Sequence, residues 1–252
     1  MASLDPRSLA IAGMINAMIK KEMDRGAARS DAIKLAMLGV ADIMFDPKGR
    51  AKRNLARFLS GRGETMPVLW FELEKEDKNV RARVHGELVR RVLGIDTITE
   101  TWLKGTPAEP DKSTITLFQH TYAVSDWMYA LGSFDIKFEV LRPPSTPAPY
   151  IHARIWGTNV YRWYADENRV TKRIHEVCSE LVKTGKSKPF DLVMKPTEIT
   201  VELNADNLNN ANTGFQTNPN SGAKLLTPEQ KKRAYQKAAD LGYSNILLQS
   251  FM

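Results

Sequence analysis

The chain has 252 residues, 42% of them hydrophobic, with 36 Lys+Arg against 29 Asp+Glu and a formal net charge of +7. These proportions argue against wholesale disorder, and the length suits one large domain or two small ones. The single cysteine, Cys178, excludes an intramolecular disulfide, and 15 Gly with 13 Pro in no period exclude a collagen-like polymer.

No apolar run approaches the roughly 20 residues of a membrane helix. The start, Met1-Ala2-Ser3-Leu4-Asp5-Pro6, lacks the basic and apolar regions of a signal peptide. The expectation is a soluble protein made in a cytoplasm. Packaging into a particle or export by a signal-less route would leave no mark in such a sequence. No repeat of solenoid length is visible.

Apolar residues step by three and four through Leu9, Ile11, Met14, Ile15, Met18 and Ile19, and again through Ile33, Leu35, Met37, Leu38 and Ile43. Two amphipathic helices over 8–45 follow, parted near Gly26, with Ser30 as N-cap of the second and Asp46-Pro47 as its end. Leu55, Phe58 and Leu59 predict a short helix that stops at Ser60-Gly61-Arg62-Gly63. Val80, Val84, Leu88 and Val92 predict another over 77–93.

The character changes near residue 96. Thr97, Ile98, Thr99 and Trp102 are strand formers, and residues 114–118, 121–131, 133–141 and 150–157 read as strands. The last two flank the Pro-rich stretch Arg142–Pro149, which suits a stiff connection between antiparallel neighbours or a short surface for a partner. Residues 166–183 return to helical spacing, and a strand over 190–203 follows. Seven Asn in 204–222 mark a loop or linker. Thr227-Pro228-Glu229-Gln230 opens a capped helix, and Ile246, Leu247, Leu248, Phe251 and Met252 form an apolar tail.

The expected fold is α+β. A helical region (1–95) precedes a mostly antiparallel region (96–203), an Asn-rich linker (204–226) and a C-terminal helix with its tail (227–252).

The densest charge lies in residues 47–62, with Lys48, Arg50, Lys52, Arg53, Arg57 and Arg62 and no acid. Such a segment can contact phosphates, since cationic side chains displace counterions from a polyanion. Glu72, Glu74, Glu76 and Asp77 follow and can neutralise it, in which case it is a solvated face. Only Phe58 is aromatic there, so base stacking has no support. Lys48, Arg50, Lys52, Arg53 and Arg57 are the candidate anion-binding residues. The partner is then nucleic acid or a phospholipid surface, and the N-terminal helices or the C-terminal tail offer a protein partner or self-assembly.

His85, His120, His152 and His175 have no metal-helix spacing, and CxxC and HExxH are lacking. No metal and no cofactor are expected. His175 and Cys178 lie three apart, as a nucleophile pair could, although a lone helical Cys is ordinarily a small buried hydrophobe. Gly61-Arg62-Gly63 lacks the context of a phosphate-binding loop. Met14, Met18, Met37 and Met44 leave a membrane-active role for the N-terminal helices as a further alternative.

The stretch from Trp156 to Arg169 is dense in aromatic and polar groups, which suits either core closure or a site. Its order Asn159-x-Tyr161, six residues, Asn168-Arg169 resembles the active segment of colicin M-type bacteriocins, which reads Asp-x-Tyr, six residues, His-Arg. The resemblance implies a hydrolase acting on a lipid-linked phosphate. Tyr161 and Arg169 would orient the phosphate, and Asp166 or Glu167 would supply the carboxylate. Asn159 and Asn168 replace the family's Asp and His, so the resemblance implies an inactive relative. Phe58–Thr65 and Asp126–Phe134 are similar in kind to stretches of bacterial and phage proteins, which adds an effector or a virion component as the setting. The leading expectation is a non-enzymatic binding or structural protein.

Overall fold

The computed structural model describes residues 6–92, 114–118, 121–141, 150–163 and 172–203, and Asn207, Glu229, Lys232, Arg233 and Gln236 besides. Its elements in chain order are α1 (Pro6–Asp24), α2 (Arg29–Met44), α3 (Arg50–Ser60), β1 (Met66–Pro67), α4 (Trp70–Glu76) and α5 (Lys78–Val92). There follow β2 (Thr114–Leu117), α6 (Ser125–Leu131), β3 (Phe134–Leu141), β4 (Tyr150–Tyr161), α7 (Lys172–Lys183) and β5 (Phe190–Glu202). The strands form a five-stranded sheet in the order β1-β5-β4-β3-β2, and the fold is α+β.

The chain divides into two compact units. The first holds Met1–Met66, Tyr129–Leu131 and Asn159–Leu192; the second holds Pro67–Met128, Gly132–Thr158 and Val193–Met252. In the first, α1 packs on α2 and α7, and α2 on α3 and α7. The helices meet through Ile15 and Ile19 of α1, Ile33, Met37 and Val40 of α2, Leu55 and Phe58 of α3, and Ile174, Val177 and Leu181 of α7, all buried. Steps of three and four along each helix gather these residues on one face, which removes them from water when the helices pack. Arg29 of α2 makes a two-pronged ion pair with Glu180 of α7, at 2.7 and 3.0 Å. That hydrogen bond raises the Arg29 pKa and lowers that of Glu180. Asn54 donates to the Ala130 carbonyl (2.9 Å) and Asn159 to the Leu131 carbonyl (3.0 Å), which satisfies acceptors that the end of α6 leaves open.

In the second unit, α4 packs on α5 and α5 on β2. β2 pairs antiparallel with β3, placing Leu117 opposite Phe134, and β3 pairs antiparallel with β4, placing Ile136 opposite Gly157 and Val140 opposite Ala153. Along β4, Arg154 reaches Glu198 of β5 at 2.9 Å, and His152 Nδ1 lies 3.4 Å from Thr200 Oγ1. The partners run in reverse order on the two strands, as on antiparallel neighbours. Ile115, Leu117, Phe134, Ile136, Ile151, Ala153 and Ile155 are buried, while Lys137, Glu139 and Arg154 point outward, the alternation expected of a sheet with one covered face. A side chain at Gly157 would place its Cβ 2.5 Å from the Asp135 carbonyl oxygen and 2.7 Å from the Phe134 ring. Gly157→Ala is therefore expected to cost about 2 kcal/mol, read as a fall in the urea midpoint with an unchanged slope.

The structure corrects two local expectations and adds one helix. Residues 121–131 are not a strand: α6 starts at Ser125, and backbone N–H groups at its head are held by the carboxylate of Asp77. Ser30 does not cap α2. Ala28 occupies the N-cap position with extended backbone and no side-chain cap, and Ser30 lies inside the first turn. The polar stretch before residue 77 contains a helix, α4, whose two buried residues, Trp70 and Leu73, are too few to show a period. The expected strand formers 97–102, the Pro-rich stretch, residues 164–171, most of the Asn-rich linker and the apolar tail lie outside the described residues. Glu229, Lys232, Arg233 and Gln236 are helical.

Candidate anion-binding surface

Helix α3 carries most of the basic segment. It buries Ala51, Asn54, Leu55, Phe58 and Leu59 on one face. At about 100° per residue, Arg50, Arg53 and Arg57 then fall on one flank of that face and Lys52 on the other. Lys48, Arg53 and Arg62 are exposed; Arg50, Lys52 and Arg57 are half-buried.

The Arg53 guanidinium donates to the Lys48 carbonyl at 2.6 Å, which folds the start of the segment back on the helix. Lys52 pairs with Asp42 of α2, and Arg57 with Glu64 through the carboxylate (3.0 Å) and the carbonyl (3.2 Å). The acids that engage α3 are therefore Asp42 and Glu64, not the later cluster at 72–77. Asp77 instead accepts N–H groups of its own unit, and Glu76 accepts from the Trp127 indole at 3.1 Å. Exposed pairs of this kind hold weakly, so a polyanion can compete for both cations.

Gly61 ends α3 in the left-handed conformation (φ 73°), and its N–H donates to the Phe58 carbonyl. The same carbonyl accepts the Lys188 N–H at 3.3 Å. Gly185 ends α7 likewise (φ 69°), with the Lys186 and Ser187 N–H groups returning to the Leu181 carbonyl at 2.8 and 3.2 Å. These bonds seat the turn 184–188 on the end of α3. A Cβ on Gly61 would lie 3.5 Å from the Lys186 carbonyl oxygen, and the Lys188 side chain runs over Gly63. Sequence reasoning missed Lys183, Lys186 and Lys188. The run Lys183-Thr-Gly-Lys-Ser-Lys188 contains no acid, which was the available signal.

Tyr161 is 7% exposed, and its ring stacks on Phe190 (5.0 Å, 20°) with Phe58 and Trp163 edge-on. Burial pushes its hydroxyl pKa well above the ordinary range. Asn159 is engaged at the end of α6, with its Oδ1 accepting the Val160 N–H at 2.8 Å. Asp166, Glu167, Asn168 and Arg169 lie outside the described residues. Cys178 is fully buried, and burial alone raises its thiol pKa, which removes the thiolate a nucleophile needs. The His175 ring meets Trp163 edge-on at 4.9 Å.

Among the described residues no group of three or more His, Cys, Asp or Glu could hold a metal ion, and no helix is long and apolar enough to cross a membrane. The chain matches no family model, no curated protein and no solved structure.

Proposed function

We propose that the chain is a non-enzymatic binding protein whose basic face on α3 engages an anionic partner. The observation that carries this is the sorting of α3: Ala51, Asn54, Leu55, Phe58 and Leu59 go inward, and Lys48, Arg50, Lys52, Arg53 and Arg57 stay at or near the surface. Two of these cations are held by weak ion pairs that a polyanion can replace. Tyr161 and Cys178 are buried in the first unit, and the half-buried His175 packs edge-on against Trp163, which argues against a nucleophilic or phosphate-orienting role for them.

The test is binding to a labelled DNA duplex across a salt series, beside a variant with Lys48, Arg50, Lys52, Arg53 and Arg57 changed to Gln. The parent is expected to show a steep fall of log K with log salt. The variant should lose about 0.9 of slope for each phosphate contact removed. Equal slopes for the two proteins would leave α3 as a solvated face.

A further inference from the structure

The basic residues of α3 are not alone in the first unit. Arg53 and Arg57 lie one turn apart on the same flank, and the Arg57 guanidinium reaches the Glu64 carbonyl, beside Gly63. Arg62 sits between Gly61, which faces the Lys186 carbonyl, and Gly63, which lies under the Lys188 side chain. Lys183, Lys186 and Lys188 are exposed. Residues 47–63 and 181–190 together contain nine Lys and Arg and no Asp or Glu. Of the flanking acids, Glu64 is paired with Arg57, Glu180 with Arg29, and Asp46 accepts the Lys48 N–H, while Asp191 is exposed one residue beyond the second range.

We infer that the two helix ends form one composite edge, running from Arg53 through Arg57 and Arg62 to Lys186 and Lys188, that docks on a nucleic-acid phosphate backbone. The inference rests on the polyanion reading of α3 and adds to it the turn 183–188. Two features favour nucleic acid over a phospholipid surface. Among the described residues of the first unit the exposed large apolar side chains are Leu9, Met23, Leu35, Ile43 and Val160; α3 and the 183–188 turn contribute none. Membrane docking combines charge with inserting apolar groups, and this edge offers charge alone. The Lys186, Ser187 and Lys188 N–H groups are spent on helix carbonyls, so the edge presents side-chain cations on a fixed backbone, suited to a regular row of phosphates. It also lacks exposed aromatics, so it should bind without base preference.

The experiment changes Lys183 and Lys186 to Gln and Lys188 to Met, which keeps an unbranched stem over Gly63. The control changes Lys21, Lys137 and Lys195, exposed lysines elsewhere, to Gln. Thermal unfolding establishes that both fold. Binding to labelled duplexes of two unrelated sequences is then read across a salt series, beside the α3 variant and beside phosphatidylserine vesicles. The turn variant should lose up to about 2.7 of salt slope on both duplexes, and the control should keep the parental slope. Parental binding by the turn variant, with loss only in the α3 variant, would overturn the composite edge and leave the α3 surface standing. Equal loss in turn variant and control would reduce the effect to net charge and overturn it too. Absence of parental binding to duplexes and vesicles alike would overturn both proposals, and parental binding to vesicles but not DNA would overturn the nucleic-acid edge and assign the α3 surface to membranes.

Discussion

Replacing Asp77 by Ala should cost about 4 kcal/mol of folding free energy, measured by urea unfolding at pH 7. The side chain is fully buried between α4 and α5. Its Oδ1 accepts the N–H groups of Asn79 (3.1 Å), Val80 (3.1 Å) and Ala123 (3.2 Å), and its Oδ2 that of Val124 (2.9 Å). The first two lie in the opening turn of α5, and the last two lead into α6. One carboxylate thus caps a helix of its own and orients another 46 residues away. A cap alone contributes about 1 kcal/mol. The larger figure comes from stranding two further, part-buried donors that Ala cannot satisfy. Asp77→Asn keeps an acceptor but turns an NH2 toward donors, so it should fall between Ala and the parent. Asp46, whose Oδ1 accepts the Lys48 N–H at an exposed turn, supplies the comparison, and its Ala variant should lose under about 1 kcal/mol. Similar losses at the two positions would mean that Asp77 does not organise the α5–α6 junction.

Acid should weaken the fold through His85. The imidazole is 6% exposed on α5, beside the Trp70 ring. Burial, and secondarily the charge of Arg81, lowers its pKa from 6.5 to about 4. A depressed base leaves the unfolded chain holding more protons than the native one between those two values. Stability is therefore full above pH 6.5 and falls as pH drops toward 4. The loss from pH 7 to pH 4 should be about 3 kcal/mol. Carboxylates titrate in the same window, so the informative quantity is the difference between the parent and His85→Leu. That difference should shift by about 3 kcal/mol across the window, since Leu carries no proton. A constant difference would show that His85 keeps an ordinary pKa.

Elements with a strong period or a sharp stop were legible in the sequence. Gly26 does part α1 from α2, the end of α3 falls at Gly61, and the alternation over 133–141 and 150–157 gives β3 and β4 with their antiparallel pairing. The failures at 121–131 and Ser30 share a cause. These two helix starts are set by distant or backbone groups, Asp77 for α6 and an uncapped Ala28 for α2, so local capping rules had nothing to read there. The basic run of α3 was plain as charge. Its acid partners and the adjoining Lys186 and Lys188 were not, because more than 120 residues separate the turn from α3 and it is folding, through the shared Phe58 carbonyl and the packing at Gly61 and Gly63, that brings them together.

That shared carbonyl also sets a timetable for synthesis. The first unit is assembled from three stretches, and its aromatic centre needs Phe58, Tyr161 and Phe190 at once. At ribosomal speeds of about 5–20 residues per second, α3 waits roughly 6 to 25 s after emerging for the segment that completes its core. Until residues 129–131 and then 159–190 emerge, the apolar faces of α1, α2 and α3 have only one another to cover them, so the nascent chain is more exposed to aggregation than the finished protein.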